Sequence, residues 1–440
     1  MTDAYLTSRD LFKIATLSDP RFSPDGRWLA YVRAQPDQES NGYKSAIWLA
    51  PADGAALRQF TSGTARDGAP RWSPDGRWLA FVSTRGGEKA KPQIYLIPTD
   101  GGEARRLTTM ENGAGEPAWS PDGRTLAFTS RLNAEEMALE DNGEPESPLD
   151  PEELERRAAE KEKKEKEAAD PRIIRRFAYR AATSYFDDRT AHLYLLEVDP
   201  ETGKAKGKPR RLTHNDREYG DPQWLPDGSA LLAVVNRQPG EDDLFYYPDL
   251  VRVPLDGGEP VLITGADTVD WGPRPSPDGR WIAYHSQPVA NLSTANVEIK
   301  LIPAAGGEPR VLTAELDRDA LDLAWLPDSH SLCFLAPDRG RIDLRSVALE
   351  GGTVKTLLTA DREMQAYDLS PDGSRVGFVV STDRAPSDLY VAALDGSHER
   401  RLTQVNGISK GRSIKRRGSS GRMYGSVRIR SICSSPAEWG

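Results

Sequence analysis

The sequence predicts an all-β protein, a seven-bladed β-propeller with four antiparallel strands per blade. Two interleaved repeats predict it. An aromatic or apolar residue, then Ser/Leu-Pro-Asp-Gly and a short apolar run, recurs seven times, from Phe22, Trp72, Trp119, Trp224, Pro275, Trp325 and Leu369 (the Trp325 copy reads Pro-Asp-Ser). A second segment alternates with it: an apolar strand, a turn, and an ending in Leu, Phe or Ile followed by Thr. It also occurs seven times, closing on Thr61, Thr108, Thr213, Thr264, Thr313, Thr359 and Thr403. Sheet repeats of this period build a closed ring of blades rather than one central core.

Each element follows from local chemistry. In the first repeat proline presets a turn angle, aspartate bonds the nearby backbone, and glycine takes the positive-φ position. The apolar run after it, such as Trp28 to Val32, reads as a short strand. Asp-Gly-Gly segments such as Asp100 to Gly102 supply a second hairpin turn. Trp72, Trp119, Trp224 and Trp325 read as packing between blades.

The phase of the repeats carries more. The first unit starts on its inner strand near Asp19 to Phe22, and the seventh ends on its outer strand at Leu402-Thr403. Every blade is therefore contiguous, with no strand exchanged between the termini. The first and last blades are expected to meet mainly through side-chain packing.

The chain has 440 residues, a formal net charge of -9 and two cysteines, Cys333 and Cys433. A propeller spends that length in a single ring. The acidic balance argues against a nucleic-acid partner. Two cysteines make neither a disulfide framework nor a zinc site, and no cofactor or metal is expected. Residues 1–20 lack a basic start followed by an apolar core, and no run of 18 apolar residues occurs, so the expectation is a cytoplasmic protein with no membrane partner.

Two stretches break the repeat. The first is an insertion in blade three, residues 131–191, where about 60 residues separate Ser130 from His192. Glu152 to Asp170 is rich in Glu, Lys, Arg and Ala, and Pro171 stops it. That pattern predicts a helix that is polar all round, either a solvated projection, an entrance flap or a partner contact such as a homo-oligomer interface. Arg172, Arg175, Arg176 and Arg180 follow it, near Tyr179 and Tyr185. Guanidinium groups are forked carboxylate readers, so these four are the candidate substrate-binding residues. Pairing with the acidic helix beside them is the alternative.

The second break is the tail, residues 407–440. It holds eight Lys or Arg against Glu438 alone, so the preceding 406 residues carry -16. It is also serine-rich and aperiodic, which predicts disorder. The abrupt change after a well-formed blade points to a shift of reading frame near Gly407. Gly407 to Gly411 matches the Gly-x-Ser-x-Gly nucleophile elbow. That elbow needs a buried strand before it, a helix after it and a later histidine. His192, His214, His285, His330 and His398 all precede Ser409, so no catalytic residue is expected in the chain.

The motif pair WSPDGRWLAFVS and QIYLIPTDGGEARRLT resembles the propeller of the prolyl oligopeptidase family of serine peptidases. The charged insertion followed by PRIIRRFAYR and HLYLLEVDPETG is similar to the acylaminoacyl-peptidase branch in particular. The resemblance covers Asp10 to about Asn406. It implies a propeller, residues 1–406, that gates and recognises peptides for an α/β-hydrolase domain. No position in this chain matches that catalytic domain, so the resemblance carries over no catalytic residue and implies a truncated chain, inert alone. Periplasmic propellers of the Tol system share the Pro-Asp-Gly blades. A stand-alone propeller binding a protein or peptide is the alternative they imply.

Overall fold

In the computed structural model, described for residues 8–87, 90–142, 180–181, 184–185, 187–236, 247–265 and 267–406, four-stranded antiparallel sheets succeed one another along the chain. Residues 16–59, 67–106, 115–211, 219–262 and 268–311 make one sheet each, with strands in sequence order. Residues 321–401 make an eight-stranded sheet, in which Arg341–Ala348 and Glu363–Leu369 meet at the single parallel pair Ile342 and Glu363. The innermost strand of each sheet lies against that of the next, and Glu363–Leu369 lies against Thr16–Phe22. The sheets therefore close into a ring about these inner strands.

The Pro-Asp-Gly motif forms the turn its chemistry requires. The Ser23 hydroxyl donates to Asp25 Oδ1 at 2.5 Å, Asp25 Oδ1 accepts the Arg27 N–H at 3.0 Å, and Gly26 sits at φ 67°. The buried hydroxyl of Ser23 also accepts the Trp28 N–H at 3.0 Å, so serine locks the turn to the strand that follows. The same bonds recur at Ser73, Ser120, Ser276 and Ser370. Where the motif reads Pro-Asp-Ser, Ser329 takes the left-handed position at φ 60°. The closing threonines act likewise: Oγ1 of Thr61, Thr108, Thr264, Thr313 and Thr403 accepts an N–H from the sheet's third strand at 2.8–3.0 Å.

The core is divided among the junctions between sheets. Tyr31, Phe81, Phe128, Tyr284, Phe334 and Phe378, each on a second strand, are essentially fully buried. Burying one such ring contributes roughly 1.5–3 kcal/mol. The buried side chains form seven clusters, each shared by two successive stretches of the chain, and the last joins Val379, Leu389 and Val391 to Leu17, Phe22 and Tyr31.

Polar contacts tie the junctions at two radii. Near the centre, the indole N–H of Trp72, Trp119, Trp224 and Trp325 donates to the main-chain oxygen of Arg21, Arg71, Ala118 and Arg274 on the preceding sheet, at 2.8–3.2 Å. The expected packing role of these tryptophans is thus joined by a directed hydrogen bond. At the rim, Arg105, Arg210, Arg310 and Arg400 on outer strands donate to Thr202, Leu255, Leu349 and Asp53 carbonyls of the next sheet. Charge on these short outer strands also blunts edge pairing.

The sheets are contiguous in sequence, as the repeat phase requires. The closing junction uses more than packing. Leu17 N–H donates to Ser387 Oγ at 3.1 Å, Phe22 N–H to Asp368 Oδ2 at 2.7 Å, and Arg375 to the Gly26 carbonyl at 2.7 Å. Among the described residues, no helix is long and apolar enough to cross a membrane.

Candidate functional site

Six inner strands carry a residue at positive φ where the ladder slips: Asp19 at 48°, Ala69 at 50°, Glu116 at 51°, Asp221 at 48°, Gly272 at 64° and Asp322 at 50°. Five of the six precede proline, whose missing N–H suits the unpaired position of a bulge. A left-handed non-glycine residue costs about 1–2 kcal/mol, and bulges of this kind re-aim side chains.

The bulge residues and those two positions on form a charged girdle in the middle of the ring. Arg21 Nε and Arg71 Nη1 both engage Asp19, at 2.7 and 2.9 Å. Arg274 Nη1 engages Asp221 at 3.0 Å, and Gln223 donates to the same carboxylate at 2.8 Å. Glu116 Oε2 accepts the Asp221 N–H at 3.1 Å. Asp368 lies 3.8 Å from Arg21. The Asp322 carboxylate is exposed and makes no hydrogen bond or ion pair among the described residues. Side chains of Asp19, Arg21, Arg71, Asp221, Arg274 and Asp368 keep 21–40% exposure although the ring surrounds them. The inner strands therefore line a water-accessible channel.

Burial sets the electrostatics of the girdle. It pushes the Glu116 carboxyl up to about 7, helped by the neighbouring Asp221 charge and opposed by the hydrogen bonds from Asp221 N–H and Thr129. It pushes Asp368 up to about 6 against the pull of Arg21. For Asp19 the burial penalty is outweighed by Arg71 and Arg21, and its carboxyl is lowered.

Gly272 shows why one bulge is glycine. A Cβ there would come within 2.8 Å of His285 Nδ1. His285 stacks on Trp271 with ring centroids 5.6 Å apart and is buried without a hydrogen-bond partner for either nitrogen. Burial drives its pKa down to about 3, so the ring is neutral.

Of the sequence-derived candidates, Arg172, Arg175 and Arg176 lie outside the described residues, as do the helix expected at 152–170, the tail and Ser409. Arg180 falls in the short strand Arg180–Ala181, paired with Ser184–Tyr185. The insertion leaves the third sheet after the pair Leu132 and Thr190, and a helix the sequence reading missed, Ala134–Asn142, begins it. Its signal was legible in Asn133-Ala-Glu-Glu136: Glu136 N–H donates to Asn133 Oδ1 at 2.9 Å and Asn133 N–H to Glu136 Oε2 at 3.0 Å, a reciprocal cap. Arg189 grips Glu136 at 2.6 Å, the Tyr194 hydroxyl donates to Glu140 at 2.8 Å, and buried Arg211 pairs with Asp141. Arg189, just before the strand Thr190–Val198, and Arg211 on the sheet thus pair with acids of helix Ala134–Asn142.

A family model described as the TolB beta propeller domain matches residues 12–147. The chain is 30% identical over 420 residues to the uncharacterized peptidase YuxL of Bacillus subtilis, covering 91% of this chain and 59% of the relative. Among solved structures, Pyrococcus horikoshii acylaminoacyl peptidase aligns over 90% of this chain and 54% of its own, with a TM-score of 0.63 and 19% identity. The chain carries a TolB-type propeller match and is similar in sequence to a peptidase. The propeller domain of the Trilobed protease from Pyrococcus furiosus, whose topology is described as open velcro, matches over 90% of this chain and 99% of its own, with a TM-score of 0.59 and 17% identity. Over 42% of its length the chain also aligns, at 31% identity, with 61% of an uncharacterized Agrobacterium fabrum protein, and about three-fifths of each of these two curated relatives is matched.

The girdle is the site that the described residues assemble. Its signal in the sequence was the recurring acidic-Pro pair before the aromatic residue, in DPRF, EPAW and DPQW. The repeat placed Asp19 to Phe22 on an inner strand without assigning these acids a role.

Proposed function

We propose that this chain is the seven-bladed, non-catalytic propeller of a serine peptidase of the prolyl oligopeptidase or acylaminoacyl-peptidase type, and that it admits and recognises peptides for a hydrolase domain. Seven blades follow if the eight-stranded sheet is divided at its single parallel pair, where the cluster around Leu344 and Phe378 resembles the other junctions. The observation that carries the function is the water-accessible channel through a fold shared with acylaminoacyl peptidase. A solvated, charged lumen suits an extended polar chain such as a peptide. Arg172, Arg175, Arg176 and Arg180 remain proposed carboxylate readers in that setting, and the cytoplasm the proposed location.

The TolB model match favours a second reading, a propeller that binds a protein or peptide by itself. One experiment addresses both. The purified chain is incubated with peptides, with ester substrates and with a covalent serine probe, and peptide binding is followed by calorimetry. Binding without turnover or labelling supports the proposal. Turnover with labelling lost on Ser409→Ala would overturn the non-catalytic role. Sequencing the DNA beyond the codon for Gly440 in all frames separates the two readings: hydrolase sequence with Gly-x-Ser-x-Gly, Asp and His favours the first.

A further inference from the structure

The girdle holds more carboxylates than its arginines satisfy. Asp19, Glu116, Asp221, Asp322 and Asp368 face Arg21, Arg71 and Arg274, which leaves two negative charges when all are ionised. The guanidinium groups are already placed, two on Asp19 and one on Asp221. Glu116 and Asp368 have instead taken a main-chain N–H of the neighbouring sheet. Glu116 bonds Asp221 across the third junction, and Asp368 bonds Phe22 across the closing junction. Both are partly buried, whereas Asp322 is exposed.

We propose that Glu116 and Asp368 are a proton-operated charge switch, which sets the channel between two net negative charges and neutrality. A main-chain N–H donates to each of these carboxylates, and no guanidinium is within hydrogen-bond distance of either, Arg21 being bonded to Asp19 and standing 3.8 Å from Asp368. A partly buried carboxylate in a cluster with excess negative charge favours its protonated form. The groups facing Glu116 are Asp221 and Arg71 from the adjacent sheets and Thr129 from its own. Those facing Asp368 are Arg21, Asp19 and Arg71. The local balance puts Glu116 at about 7 and Asp368 at about 6, within the range cells use. Above the transition the lumen favours basic segments, and below it the preference disappears. That consequence rests on the reading of the channel as a peptide path, but the protonation itself does not.

The test is a potentiometric difference titration of the full chain between pH 8 and 5, comparing wild type with Glu116→Gln and Asp368→Asn. Asp278→Asn is the control, because the Asp278 carboxyl is held near 2 by Ser276 and the Arg280 N–H and takes up no proton in this range. The expected result is one proton less in each channel variant, centred near 7 for Glu116 and near 6 for Asp368. Uptake curves that coincide with wild type would overturn the proposal. Should a variant fail to fold, infrared difference spectra of the wild type between pH 8 and 6 decide, because ordinary carboxylates stay ionised there. A protonated carboxyl band growing in over that interval supports the switch, and its absence refutes it. Neither readout uses a peptide, so failure here leaves the peptide-path reading standing.

Discussion

The side-chain amide of Asn406 brackets the main chain of Ala15: its Oδ1 accepts the Ala15 N–H at 2.8 Å and its Nδ2 donates to the Ala15 carbonyl at 2.8 Å. Both residues are buried, at 4% and 1% exposure. One side chain thereby does for the closing junction what a paired strand would do. Asn406→Ala leaves a buried donor and acceptor unmet, at about 1–3 kcal/mol each if no water reaches them. Equilibrium urea unfolding should show a loss of roughly 2 kcal/mol or more, with proteolysis beginning at residues 8–14. A variant as stable as wild type would show that the seam rests on its apolar cluster alone.

Gly272→Ala should destabilise the ring by about 1–3 kcal/mol, combining a left-handed alanine with overpacking against His285. His285→Val in the same chain should recover part of the loss, since Val32, Val82 and Val379 fill the corresponding place in other sheets. Additive effects in this double-mutant cycle would deny the contact.

Two histidines should make the fold acid-sensitive. Burial lowers His192 to about 4 and His285 to about 3, both below the ordinary value of 6.5. The unfolded chain therefore binds protons that the folded one refuses. This stability is present above pH 6.5 and is lost as pH falls from there toward 3. At about 1.4 kcal/mol per pKa unit the loss from His285 is on the order of 4 kcal/mol. Thermal melts of His285→Val should vary less with pH over that interval. An unchanged slope would place the sensitivity elsewhere.

Glu136→Ala removes the Oε2 half of the reciprocal cap of helix Ala134–Asn142 and the two-pronged contact with Arg189, and leaves the Asn133 side chain on the N–H of residue 136. A hydrogen bond to a charged group contributes about 1.5–3 kcal/mol. Amide exchange in residues 134–142 should accelerate about tenfold while the sheet amides keep their protection, at about 1.4 kcal/mol per decade. Glu136→Gln should retain the cap and lose only the ion pair. Equal acceleration in both variants would assign the helix's stability to Arg189.

Much of this architecture was legible because it is local and repeated. Ser23-Pro-Asp-Gly26 closes its own turn, and Thr61 caps a strand 14 residues earlier, so each unit can be read without its neighbours. The charged insertion was placed by the interruption of that repeat. The helix at Ala134–Asn142 escaped because its cap is a single Asn-x-x-Glu in a charge-rich stretch, and its arginine partners, Arg189 and Arg211, lie 53 and 70 positions from the acids they pair with.

The sequence alone determined the repeat, its turns and the contiguous sheets. Only the tertiary structure decided which charges meet. Asp19 and Arg71 are 52 positions apart, and Phe22 and Asp368 are 346 apart, yet each pair is within 2.9 Å. A sequence fixes the spacing of residues along the chain, whereas burial and charge coupling depend on distance in space. The carboxyls of Glu116 and Asp368 are raised only once the third and closing junctions have brought neighbouring inner strands together.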